Sequence, residues 1–126
     1  MPGPHTADAK VCVVDDDRSI LDSLRGLLAS EKIAAMTFDD PRQFLDYVQV
    51  HHIRAAILDV AMPGLSGIQL QKQLYWVSPN TKVIIMSGRP DCEIRTLALN
   101  AGAFAFLAKP IDADAFLSSV RGALGE

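Results

Sequence analysis

The chain has 126 residues, 49% of them hydrophobic, which is enough for one domain with a substantial core and too little for two. A net charge of −3 supplies no basic excess with which to neutralise a nucleic-acid backbone. Two cysteines, Cys12 and Cys92, are too few and too far apart for a disulfide framework or a paired-ligand zinc site, and no apolar run approaches the length that spans a bilayer; a soluble protein of the reducing cytoplasm is expected.

Residues 1–9 show no periodicity and read as a flexible lead, leaving 10–126 as the folded domain. The run KVCVV (10–14) is a compact β-branched strand, and Ile20, Leu21, Leu24, Leu27 and Leu28 then recur at helical spacing, with Asp17 placed to cap that helix. IAAMTF (33–38) is a weaker strand. Asp39 and Asp40 precede Pro41, a residue suited to a first helical position, and read as the cap of the second helix, whose face is formed by Phe44, Leu45 and Val48. His51 and His52 follow it without partners at ligand spacing and read as a solvated loop.

AAIL (55–58) and KVIIM (82–86) have the continuous apolar character of strands buried on both faces. Between them Ile68, Leu70, Leu74 and Val77 mark a third helix, at whose end Trp76 is expected to pack in part. Asp91 is placed to cap a fourth helix running to Asn100, and Gly102 to end it. AFAFL (103–107) and a last helix carrying Phe116, Leu117, Val120 and Leu124 complete five β–α pairs. Alternation with short connections predicts parallel strands and right-handed crossovers, hence a doubly wound α/β sandwich with ligands at the carboxyl ends of its strands.

Those ends carry polar groups: Asp15, Asp16 and Asp17 after strand 1, Asp59 after strand 3, Ser87 after strand 4, and Lys109 with Pro110 after strand 5. In the strand order 2-1-3-4-5, strand 2 is an edge, and the other four ends converge. Clustered carboxylates repel one another unless a cation neutralises them, and Mg²⁺ suits an all-oxygen set completed by a carbonyl and phosphate oxygens. Lys109 then serves as a point charge for a phosphoryl oxygen and Ser87 as a hydrogen-bond donor to another. Asp59, in the middle, is a nucleophile for phosphorus.

Four stretches carry a resemblance over residues 9–124: VVDDD (13–17), LDVAMPGLSG (58–67), IIMSGRPD (84–91) and FAFLAKP (104–110). In that order and spacing the chain resembles the receiver domains of bacterial two-component response regulators, in particular those with nitrogen-fixation or LuxR-type output domains. The resemblance implies a flavodoxin-like (βα)5 fold and transfer of a phosphoryl group to Asp59 from a sensor histidine kinase or phosphotransfer protein. It implies Mg²⁺ held by Asp15, Asp16, Asp59 and the carbonyl of Ala61, with Ser87 and Lys109 on the phosphoryl oxygens and a cis bond before Pro110. The domain then catalyses only its own phosphorylation and dephosphorylation.

The resemblance further implies that Ser87 and Phe106 act as switch residues reshaping the face of helix 4, strand 5 and helix 5. A phosphorylation-dependent homodimer or a partner docks on that face, and DNA is reached only through an output domain outside these residues. Phe106 lacks the hydroxyl of the tyrosine frequent at its position. Ala61 and Arg89 are expected to set the phosphoryl lifetime, and Arg18, Ser19, Asp22 and Ser23 to contribute to kinase choice. Two rivals share the topology. An aspartyl-phosphate phosphohydrolase would carry a second acid two residues past the nucleophile, where this chain has Ala61; a flavin carrier would carry a Ser/Thr/Gly-rich loop after strand 1, which is lacking.

Overall fold

The computed structural model describes residues 9–88 and 92–126. Five strands alternate with five helices: β1 (Val11–Val14), α1 (Arg18–Ser30), β2 (Ala35–Phe38), α2 (Pro41–Val50), β3 (Ala55–Asp59), α3 (Gly67–Val77), β4 (Lys82–Ser87), α4 (Cys92–Asn100), β5 (Ala105–Ala108) and α5 (Ala113–Ala123). All pairings are parallel and the strand order is β2-β1-β3-β4-β5, as expected. The expectations for Asp91 as a cap and for Arg89 lie outside the described residues.

Side chains alternate across the sheet and divide the core in two. Cys12, Val14, Ala56, Leu58, Val83 and Ile85 face a layer made by Phe44 and Val48 of α2, Leu70 and Leu74 of α3 and Ala98 of α4. Val11, Val13, Ala55, Ile57, Ile84 and Met86 face Leu21, Leu24 and Leu28 of α1 and Phe116 and Val120 of α5. The central strands are therefore buried on both faces, while β2 and β5 at the edges are only partly so. Burial pushes the Cys12 thiol up to about 12, which leaves it an inert core residue.

Helix starts are set by local chemistry. Asp17 caps α1 by accepting from the Ser19 N–H, Asp40 caps α2 ahead of Pro41, and Asp112 caps α5. Asp39 does not cap; it pairs with Arg18 at 2.8 Å. A capping box between Ser66 and Gln69, which the apolar pattern alone does not reveal, starts α3. After α4 the chain turns at Gly102, whose φ of +96° is costly for any residue with a Cβ.

Two surface features depart from the sequence reading. Trp76 does not pack: it is 83% exposed at the end of α3, because the inward positions of that helix belong to Leu70, Gln71 and Leu74. His51 is not wholly solvated, since its ring stacks on Tyr47 at 4.0 Å. A third feature appears only in the fold. The Arg54 N–H donates to the Lys10 carbonyl and the Lys82 N–H to the Arg54 carbonyl, so three exposed cations line up along the amino edge of β1, β3 and β4.

Candidate phosphoryl-acceptor site

At the carboxyl edge of the sheet, β1 and β3 are hydrogen-bonded neighbours, so the residues that leave them emerge side by side. Asp15 follows β1 and is fully buried; Asp59 ends β3 and is 4% exposed. The Asp15 N–H donates to the Phe38 carbonyl at 3.1 Å, holding this edge to β2, and the Val60 N–H donates to the Met86 carbonyl at 2.9 Å, holding it to β4. One oxygen of Asp15 accepts from the Asp17 N–H at 2.9 Å. Its other oxygen meets Lys109 Nζ at 2.8 Å, and the same ammonium lies 3.1 Å from Asp59 Oδ1.

Lys109 is delivered by β5. Its backbone N–H donates to the Ser87 carbonyl at 2.8 Å, and the bond to Pro110 is cis. Ser87, 2% exposed, ends β4 beside it. Asp16 is exposed at the rim, and its carboxylate with those of Asp15 and Asp59 brings three oxygens within 4.8 Å of one another. Three carboxylates around one ammonium leave the cluster with excess negative charge, and an all-oxygen donor set of this size fits a hard divalent cation such as Mg²⁺.

Electrostatics at the centre follow from this packing. Burial raises the Asp59 carboxyl above its ordinary value, and the charges of Asp15 and Asp16 push the same way, while the hydrogen bond and charge of Lys109 oppose them. For Lys109, burial pulls the ammonium down, but its hydrogen bonds and charge pairing with Asp15 and Asp59 outweigh that and leave it raised. Asp17 is lowered by its hydrogen bonds from Ser19, as befits a helix cap that stands apart from the cluster.

Of the residues singled out from sequence, Asp15, Asp16, Asp59, Lys109 and Ser87 thus meet at one edge. Ala61 sits exposed in the loop after β3. Phe106 stands apart: it is half-buried in β5 against the α2–α3–α4 layer, with the Arg95 guanidinium of α4 5.8 Å from its ring centre. Sequence reasoning missed Gly67. Its N–H donates to the Val60 carbonyl at 3.0 Å, and a Cβ there would lie 2.2 Å from the Asp59 carbonyl oxygen, so α3 begins pressed against the strand that presents Asp59. The signal was a glycine one residue inside a Ser-x-x-Gln helix start.

Comparison with known proteins places the chain in a family. The family model for the response regulator receiver domain matches residues 11–121. The chain is 36% identical over 122 residues to the C4-dicarboxylate transport transcriptional regulatory protein DctD of Pseudomonas aeruginosa, covering 96% of this chain and 26% of that protein. It is 34% identical over 119 residues to the transcriptional regulatory protein FixJ of Bradyrhizobium diazoefficiens, covering 94% of this chain and 58% of that one. The chain therefore spans about a quarter to three-fifths of the length of these curated relatives. A CheY-like receiver domain protein from Methanospirillum hungatei superposes with a TM-score of 0.87 at 26% identity, over 93% of this chain and 94% of that one. The family model covers nearly the whole length of the chain, which therefore belongs to the response regulator receiver domain family of two-component signalling.

Proposed function

We propose that Asp59 is the phosphoacceptor and that Asp15, Asp16, Asp59 and the Ala61 carbonyl hold Mg²⁺ beside it. The observation that carries this reading is the juxtaposition of three carboxylates with Lys109, which contacts both Asp15 and Asp59. Bound Mg²⁺ supplies neutralisation of the carboxylates and of the phosphoryl oxygens. The chain's own residues do the rest. A carboxylate oxygen of Asp59 attacks phosphorus, the bond to the donor breaks with its electron pair leaving on the donor, and an acyl phosphate forms on Asp59. Lys109 turns from Asp59 to a phosphoryl oxygen, and the Ser87 hydroxyl donates to another.

The donor is a sensor histidine kinase or a phosphotransfer protein, met at the acidic edge in the cytoplasm, with Arg18, Ser19, Asp22 and Ser23 of α1 bearing on its choice. Movement of Ser87 and Phe106 then alters the face of α4, β5 and α5, through which a second copy or an output domain responds. The domain turns over no free metabolite, and hydrolysis of its own acyl phosphate resets it.

The experiment is intact mass after incubation with acetyl phosphate, with and without Mg²⁺, on the wild type and on Asp59→Asn. A single Mg²⁺-dependent phosphoryl adduct that Asp59→Asn abolishes is the expected result. An adduct that survives in Asp59→Asn moves the chemistry to another residue and refutes the assignment.

A further inference from the structure

Gln71 is the one buried side chain of α3 that is polar, and among the described residues its Oε1 is the only buried side-chain oxygen or nitrogen without a hydrogen-bond partner. Its Nε2 donates to the Ala98 carbonyl of α4 at 3.2 Å. Ala98 is the one fully buried residue of α4 among the described residues and Ile94 is half-buried, so this amide meets the helix backbone at its best-buried point. The Ala98 carbonyl also accepts from the Ala103 N–H at 3.0 Å, at the turn that leads into β5. Gln71 lies four residues after Gly67, hence on the same face of α3 one turn on. One face of one helix therefore touches the Asp59 carbonyl at its first turn and the α4 backbone at its second.

We propose that Gln71 is a positioning residue that couples the state of Asp59 to the placement of α4, α3 acting as the rigid strut between them. The inference rests on the reading of Asp59 as acceptor. Because Gly67 packs on the Asp59 backbone without the slack of a side chain, rearrangement of that strand end on phosphorylation is passed to α3 rather than absorbed. The hydrogen bond from Nε2 is at the long end of the ordinary range, and a further separation of about half an ångström breaks it. Its partner atom Oε1 makes no second bond among the described residues to hold the amide in place. Coupling of this kind is reciprocal: what loosens α4 also changes how readily Asp59 is phosphorylated.

The test compares the whole chain and Gln71→Met, which keeps the length and apolar stem but removes the donor. Both are read by intact mass for the Asp59 adduct and by amide hydrogen exchange over 92–100, with and without excess acetyl phosphate and Mg²⁺. The wild type is expected to change its α4 exchange on phosphorylation by about fivefold or more. Gln71→Met is expected to form the same adduct while its α4 exchange, already fast, responds less than the wild type, by the part not carried through Ser87 and Phe106. An equal α4 response in Gln71→Met overturns the coupling while leaving the acceptor assignment intact. A wild type that is phosphorylated with no change at α4 overturns it as well, even if Gln71→Met fails to fold. Absence of any Asp59 adduct in the wild type removes the acceptor reading and the coupling together.

Discussion

Asp59 and Lys109 oppose each other in stability as well as in charge. The folded chain holds a proton on Asp59 at higher pH than the unfolded chain does, so the ionised carboxylate opposes folding above its raised pKa, and that opposition fades as pH falls through it. Lys109 is also raised, but as a cation: its contribution is whole below the ordinary lysine value and is lost as pH rises through the raised one. Asp59→Asn is therefore expected to raise the melting temperature of the metal-free protein, with the gain shrinking on acidification. Lys109→Met, which leaves Asp15 buried without its cation, is expected to destabilise by roughly 1–3 kcal/mol. Thermal melts of the two variants at neutral pH check both signs, and melts on acidification toward the ordinary carboxylate value check the fading of the first. The acids and the lysine were legible in the sequence because each ends an apolar run; the contact of Lys109 with two acids at once was not, since it depends on the register of β5 against β4.

At the level of elements, α3 is the helix whose placement matters most to the site and whose role the sequence disclosed least. Its apolar spacing marks it as a helix and its Ser66–Gln69 pair fixes where it starts, but neither says how near it comes to β3. Gly67→Ala would set a methyl 2.2 Å from the Asp59 carbonyl oxygen, and backbone must yield. The expected result is a loss of about 1–3 kcal/mol of stability, the usual cost of overpacking, with slower labelling of Asp59 by acetyl phosphate at temperatures where the variant is still folded. A variant with wild-type stability and labelling rate would show that α3 can retreat without moving Asp59. Trp76 failed as a packing expectation for a related reason: periodicity assigns a face to a helix, but the width of the buried stripe is decided by its neighbours, and here Gln71 takes a place that hydropathy gives to no glutamine.

For the whole molecule, strand order and layering could be read from alternation alone, because βα units with short connections leave few topologies open. Net charge could be read too, but not its distribution. The fold gathers Asp15, Asp16 and Asp59 around Lys109 at one edge and places Lys10, Arg54 and Lys82 at the other, an arrangement that the net charge of −3 does not reveal. A divalent cation is drawn to the acidic edge. Folding stability, and melting temperature with it, is expected to rise with Mg²⁺ concentration, by about 2.7 kcal/mol of stability at a hundred times the dissociation constant, and the rise is expected to vanish in Asp15→Asn. A calorimetric titration that finds the same Mg²⁺ dependence in that variant would place the ion elsewhere.

The exposed indole of Trp76, the only tryptophan of the chain, stands toward the far end of α3 from Asp59, about 14 Å along the helix from Gly67. A ring already in water emits close to where it would emit from the unfolded chain, so its wavelength is a poor witness to melting, and circular dichroism is the better one. The same property makes it a sensitive witness to arrival. Any surface that settles on the end of α3 takes the ring out of water and shifts its emission to the blue, so the unlabelled protein carries its own fluorescent probe for contacts at that end.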